Sequence, residues 1–79
     1  MSENTVFAYY RIFVKNMSIA EVAKELGIGQ STVVGYDTGR LPLYKVSYER
    51  LMRIVNLFGC PIDMLAENKM DRIVVNSME

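Results

Sequence analysis

The chain has no histidine, no tryptophan and a single cysteine, Cys60. One thiol cannot form a disulfide within the chain. Structural zinc needs clustered Cys or His, so no metal is expected. Without histidine, acid–base catalysis would fall to carboxylates, and the nine Asp and Glu residues show no pairing pattern. The sequence therefore predicts no enzyme, no cofactor and no small-molecule ligand. No apolar run approaches the ~18 residues of a membrane span. The opening residues, MSENT, carry no basic segment ahead of an apolar one, so they do not read as a secretory signal. The expectation is a cytoplasmic protein without a membrane partner. An excess of positive charge is also missing. Nine basic residues balance nine acidic ones, four of each in residues 1–40 and five of each in residues 41–79. A small nucleic-acid binder usually carries a basic patch, because neutralising phosphates supplies much of its affinity.

What is present is a chain of 79 residues, 51% apolar, enough for one small packed domain. Residues 5–16, with Met17 just beyond, place Val6, Tyr10, Phe13, Val14 and Met17 at the spacing of an amphipathic helix, with Phe7, Tyr9 and Ile12 partly off that stripe. Ser18 and Glu21 form a capping-box pattern, flanked by Met17 and Val22 as a hydrophobic staple. This predicts a second helix over 19–26, ended by Gly27. A third helix runs from Gln30 to Thr38 and stops at Gly39. Pro42 prevents continuation through RLPLYKV. Ser47 reads as the N-cap of a fourth helix over about 48–58, which Gly59 stops. Pro61 suits the first position of a fifth helix over about 61–67. The β-branched run Ile73, Val74, Val75 favours extended structure. The predicted architecture is all-α: a five-helix domain over residues 1–67, and a tail over 68–79 open to a short C-terminal strand.

Residues 19–38, IAEVAKELGIGQSTVVGYDT, answer a single geometric demand. Two helices crossing steeply through a tight turn need a small residue at closest approach (Ala23), a turn residue tolerant of positive φ (Gly27) and apolar inner faces (Val22, Leu26, Ile28, Val33, Tyr36). That leaves Gln30, Ser31, Val34, Gly35 and Thr38 facing outward. The pattern resembles the helix-turn-helix of the lambda-repressor/Cro-like family over roughly residues 6–66. GYDTGRLP is similar to that family's Trp-Glu-x-Gly-x-x-Pro segment, LMRIVNLFGCPIDML to its closing stretch, and GIGQS to the turn of lambda-type phage repressors.

The resemblance implies a DNA-binding transcriptional regulator of a bacterial or phage-infected host cell, most like a phage Cro-type repressor. Its double-stranded operator would be read by a homodimer. The third helix would enter the major groove N-terminus first. Gln30 matches the family's leading base-contacting position, and its amide can pair bidentately with adenine. Ser31 and Thr32 can donate to base edges, Val34 can touch a thymine methyl, and Gly35 would let backbone approach the duplex. Ser18, Thr38, Arg40, Tyr44 and Lys45 are expected at phosphates, which set register. Tyr10, Tyr36, Tyr48 and Cys60 are expected in the core.

Departures from the family pattern open a second reading. Ile19 stands where the family usually has a phosphate-clamping glutamine, and the third helix carries no cation. Both features suit a modulator that uses the same fold to bind a repressor protein; an antitoxin-like role is a further alternative. For Ile73–Val75 three readings stand: a strand paired across a two-fold axis, a segment folded back on the core, or a frayed end. Tyr9 and Ile12 offer another dimer surface.

Overall fold

The computed structural model describes residues 5–68. The first helix, α1 (Val6–Tyr9), runs directly into a π-helical stretch, Tyr10–Val14. It is followed by α2 (Ile19–Leu26), α3 (Gln30–Thr38), a 3-10 turn (Leu43–Lys45), α4 (Tyr48–Phe58) and α5 (Ile62–Glu67). All regular structure among the described residues is helical, as the sequence predicts.

The ends of the helices follow local chemistry. Thr5 caps α1, its hydroxyl oxygen accepting the Ala8 N–H at 3.0 Å. Ser18 and Glu21 complete the predicted capping box, with bonds of 2.8 and 3.1 Å. Gly27 ends α2 at φ 68°, where a Cβ would strain the backbone. Ser47 caps α4 through the Arg50 N–H. Pro61 sits at the N-cap of α5, one position before the expected one, and its carbonyl takes the first helical bond from Leu65.

The first helix departs from the 3.6-residue stripe. The Lys15 N–H reaches back five residues to the Tyr10 carbonyl at 2.8 Å, so the π turn shifts later side chains out of α-helical phase. Phe13 is therefore 66% exposed and Val14 is exposed, although both were expected in the core. Phe7, which lies off the stripe, is fully buried instead. Its ring meets Phe58 edge-on at 5.0 Å and Tyr36 at 5.8 Å. Tyr48 also departs from its expected place. Leu51, Ile54 and Phe58 form the buried face of α4, while Tyr48, first in the helix, is 72% exposed and not in the core.

Val6, Phe7, Val22, Val33, Leu43, Ile54 and Leu65 are wholly buried in one cluster that draws on all five helices and the 3-10 turn. Each such side chain contributes roughly 1.5–3 kcal/mol relative to exposure. The core also holds Tyr36 and Cys60, as expected. Tyr10 packs on its edge, stacked on Phe58 at 6.4 Å. Asn68, assigned by the sequence to the tail, is a buried C-cap of α5 in the left-handed conformation, φ 54°. Residues 73–75, the expected dimerisation strand, lie outside the described residues.

Candidate nucleic-acid interface

The inner side of α3 is tied to the rest of the domain at its C-terminal end. Val33 and Tyr36 are buried in the core. Asp37 is buried too, and the sequence did not reveal its role. Its carboxylate accepts from Arg11 Nε at 2.8 Å and Nη2 at 3.1 Å. Its carbonyl accepts from the Thr5 hydroxyl at 2.6 Å. Next to it, the Tyr36 carbonyl accepts from Asn68 Nδ2 at 3.0 Å, and the Phe7 N–H donates to Asn68 Oδ1 at 2.8 Å. Arg11 Nη1 also donates to the Met17 carbonyl at 2.9 Å, at the threshold of α2. Residues from both ends of the domain thus fix the angle at which α3 leaves the core.

The outer side of α3 carries the expected readers. Gln30 and Ser31 are exposed at its N-terminus, Thr32 is half-buried, and Val34 is 41% exposed one turn later. Gly29, the N-cap, has no side chain to accept an N–H, so the first turn keeps its donors for an outside acceptor. Ser18 is exposed at the start of α2; its oxygen serves the capping box, and its hydroxyl hydrogen has no acceptor among the described residues. Arg40, Tyr44 and Lys45 are all exposed in the segment that leaves α3.

Two of the expected contact residues are engaged within the chain itself. The Thr38 hydroxyl donates to the Val34 carbonyl at 2.9 Å, so in the free chain its proton is engaged on its own helix. Gly35 is buried. A Cβ placed there would lie 2.5 Å from Leu41 Cδ1 and 3.2 Å from Arg40 Nη2. The space that was expected to admit a duplex is filled by this chain's own side chains.

The charge of the surface follows from these partners. The sole acid of α3 is neutralised by Arg11 beneath the surface, leaving the outer face of the helix uncharged. Arg40 and Lys45 follow it in the chain, and Arg50 bonds the Tyr36 hydroxyl through Nη1 at 3.2 Å. A neutral helix with Arg40 beside its outer face can take base contacts there while the cation meets the duplex next to it. Among the described residues no group of three His, Cys, Asp or Glu residues could hold a metal, and no helix is long and apolar enough to cross a membrane.

A family model described as helix-turn-helix matches residues 8–65. No curated protein and no solved structure matches the chain.

Proposed function

The chain belongs to the lambda-repressor/Cro-like helix-turn-helix family, a family of DNA-binding transcription regulators, and from that premise we propose that it is a sequence-specific repressor of the phage Cro type. It acts as a homodimer in the cytoplasm of a bacterial or phage-infected cell and covers a promoter by occupying operator DNA. The observation that carries this reading is the outward pair Gln30 and Ser31 at the uncapped N-terminus of α3, on a helix whose inner side is clamped to the core. Gln30 pairs with adenine, Ser31 and Thr32 donate to neighbouring base edges, and Ser18, Tyr44 and Lys45 meet phosphates. A two-fold dimer doubles the few phosphate contacts and reads half-sites about 34 Å apart. Residues 73–75 are our choice for the dimer contact.

A mobility-shift titration against the upstream region of the protein's own operon tests this. Gln30→Ala and Ser31→Ala should each weaken binding, and the salt dependence should be shallow because phosphate contacts are few. Failure of the unmodified protein to bind at low salt would reject the proposal.

The second reading, a modulator docking on a repressor protein, draws on the uncharged outer face of α3 with Val34 exposed and on Tyr44 at 69% exposure. Pull-down with a neighbouring repressor, together with indifference to DNA, would favour it.

A further inference from the structure

The centre of α3 has no side chain of its own, and the chain fills the gap from the next segment. Gly35 follows Ser31 by four residues, so the two lie on one face of the helix. The Leu41 N–H donates to the Gly35 carbonyl at 3.0 Å, folding the exit segment back on the helix. Leu41 then lies against Gly35, and Arg40 Nη2 stands 3.2 Å from where a Cβ on Gly35 would be. Arg40 is exposed and makes no ion pair among the described residues.

We propose that Arg40 is a base-reading residue, its guanidinium taking the place of the missing side chain at position 35 and pairing with a guanine in the major groove. This rests on the DNA-binding reading above and revises the phosphate role that the sequence suggested for Arg40. A phosphate contact needs only a charge at the rim of the helix. Here the planar fork lies over the face that continues from Ser31. Two parallel N–H groups match guanine O6 and N7, the commonest specific contact of this side chain. Gly35 is what permits the arrangement, because a Cβ there would lie 2.5 Å from Leu41 Cδ1 and 3.2 Å from Arg40 Nη2, so both side chains would have to give way. The half-site then holds an adenine opposite Gln30 and a guanine opposite Arg40.

Selection of binding sites from randomised duplexes, with the full chain, tests this. The unmodified protein should enrich a half-site with one invariant guanine. Arg40→Lys, which keeps the charge but loses the fork, and Arg40→Ala should both lose that preference while keeping the adenine. Exchanging the guanine should weaken the unmodified protein about 5- to 150-fold and the variants little. Gly35→Ala, checked for folding by circular dichroism, should lose the guanine as the Arg40 variants do. If Arg40→Ala instead weakens all sequences equally, lowers the salt slope by about one and is restored by Lys, Arg40 is a phosphate contact and the inference fails. Enrichment of no sequence at all would remove the DNA-binding reading itself, and this inference with it.

Discussion

Arg11 and Asp37 meet side by side, Nε to Oδ1 at 2.8 Å and Nη2 to Oδ2 at 3.1 Å, with side chains only 12% and 5% exposed. The pair joins the π-helical end of the first helix to the last turn of α3. Because Arg11 also holds the Met17 carbonyl, one guanidinium braces both the entry to α2 and the exit from α3. Removing one member of a buried pair leaves the other charge without compensation, which costs about 3–5 kcal/mol. We expect Asp37→Ala to lower the unfolding free energy by about that much in urea titration. Arg11→Ala with Asp37→Ala should cost clearly less than the sum of the single changes. Additive losses would show that the two side chains act separately.

Asn68 makes a second brace, and its chemistry differs. Its amide uses both ends, accepting the Phe7 N–H and donating to the Tyr36 carbonyl. Asn68→Ala strands one buried donor and one buried acceptor, each worth about 1–3 kcal/mol. Asn68→Asp keeps the acceptor for Phe7 but turns a carboxylate oxygen towards the Tyr36 carbonyl. That variant should be less stable than Asn68→Ala at neutral pH and should recover as the solution is acidified, because a protonated carboxyl can donate again. Thermal unfolding at neutral and acid pH measures both effects, and a pH-independent Asn68→Asp would contradict the bonding scheme.

These two braces mark where the sequence stopped being legible. Features written in neighbouring residues were readable: the Ser18–Glu21 box, Gly27 and Gly39 as helix ends, and Ser47 as a cap all occupy their expected places. Features that depend on partners far along the chain were not. Asn68 bonds residues 61 and 32 positions away, and Asp37 pairs across 26. An asparagine just past a helix end and an acid in a short helix give no local hint of burial. The first helix misled for another reason: a 3.6-residue period cannot anticipate a π turn, so Phe13 and Phe7 exchanged roles. At the site, Gln30, Ser31 and Val34 were readable as an outward face because Val33 and Tyr36 point inward. The covering of Gly35 was not, since it depends on how the segment after Gly39 folds back.

Cys60 is 3% exposed, and burial pushes its thiol up from 9.0 to about 11. The folded chain therefore holds this proton more tightly than the unfolded chain. The sign follows: the stabilisation is fully present below about pH 9 and is lost as pH rises through about 11. Burial raises Tyr10 in the same sense, so it adds to the alkaline loss. The stability difference between the unmodified protein and Cys60→Ala should narrow or reverse across that window, by on the order of 2 kcal/mol. Urea titrations at stepped pH, with Tyr10→Phe as a control for the phenol, measure this. A constant difference between the two proteins would show that the thiol does not titrate differently on folding.

Val34 follows Gln30 by four residues, so on the proposed operator it reaches a base near the one Gln30 reads. It offers no hydrogen bond, and its neighbour on the next turn, Thr38, has its hydroxyl turned back to the Val34 carbonyl. Its recognition chemistry is therefore apolar contact with a thymine methyl. Val34→Ala should weaken operator binding by about 1 kcal/mol, the value of roughly one buried CH₂ group. Replacing the facing thymine by deoxyuridine removes the same contact from the other side and should cost a similar amount. Once Val34 is alanine, the thymine-to-deoxyuridine change should cost little more, because the contact is already gone. Filter-binding titrations of the four combinations complete the cycle. Independent losses would mean that Val34 and the methyl do not touch, and would shift weight to the reading in which Val34 meets a protein partner.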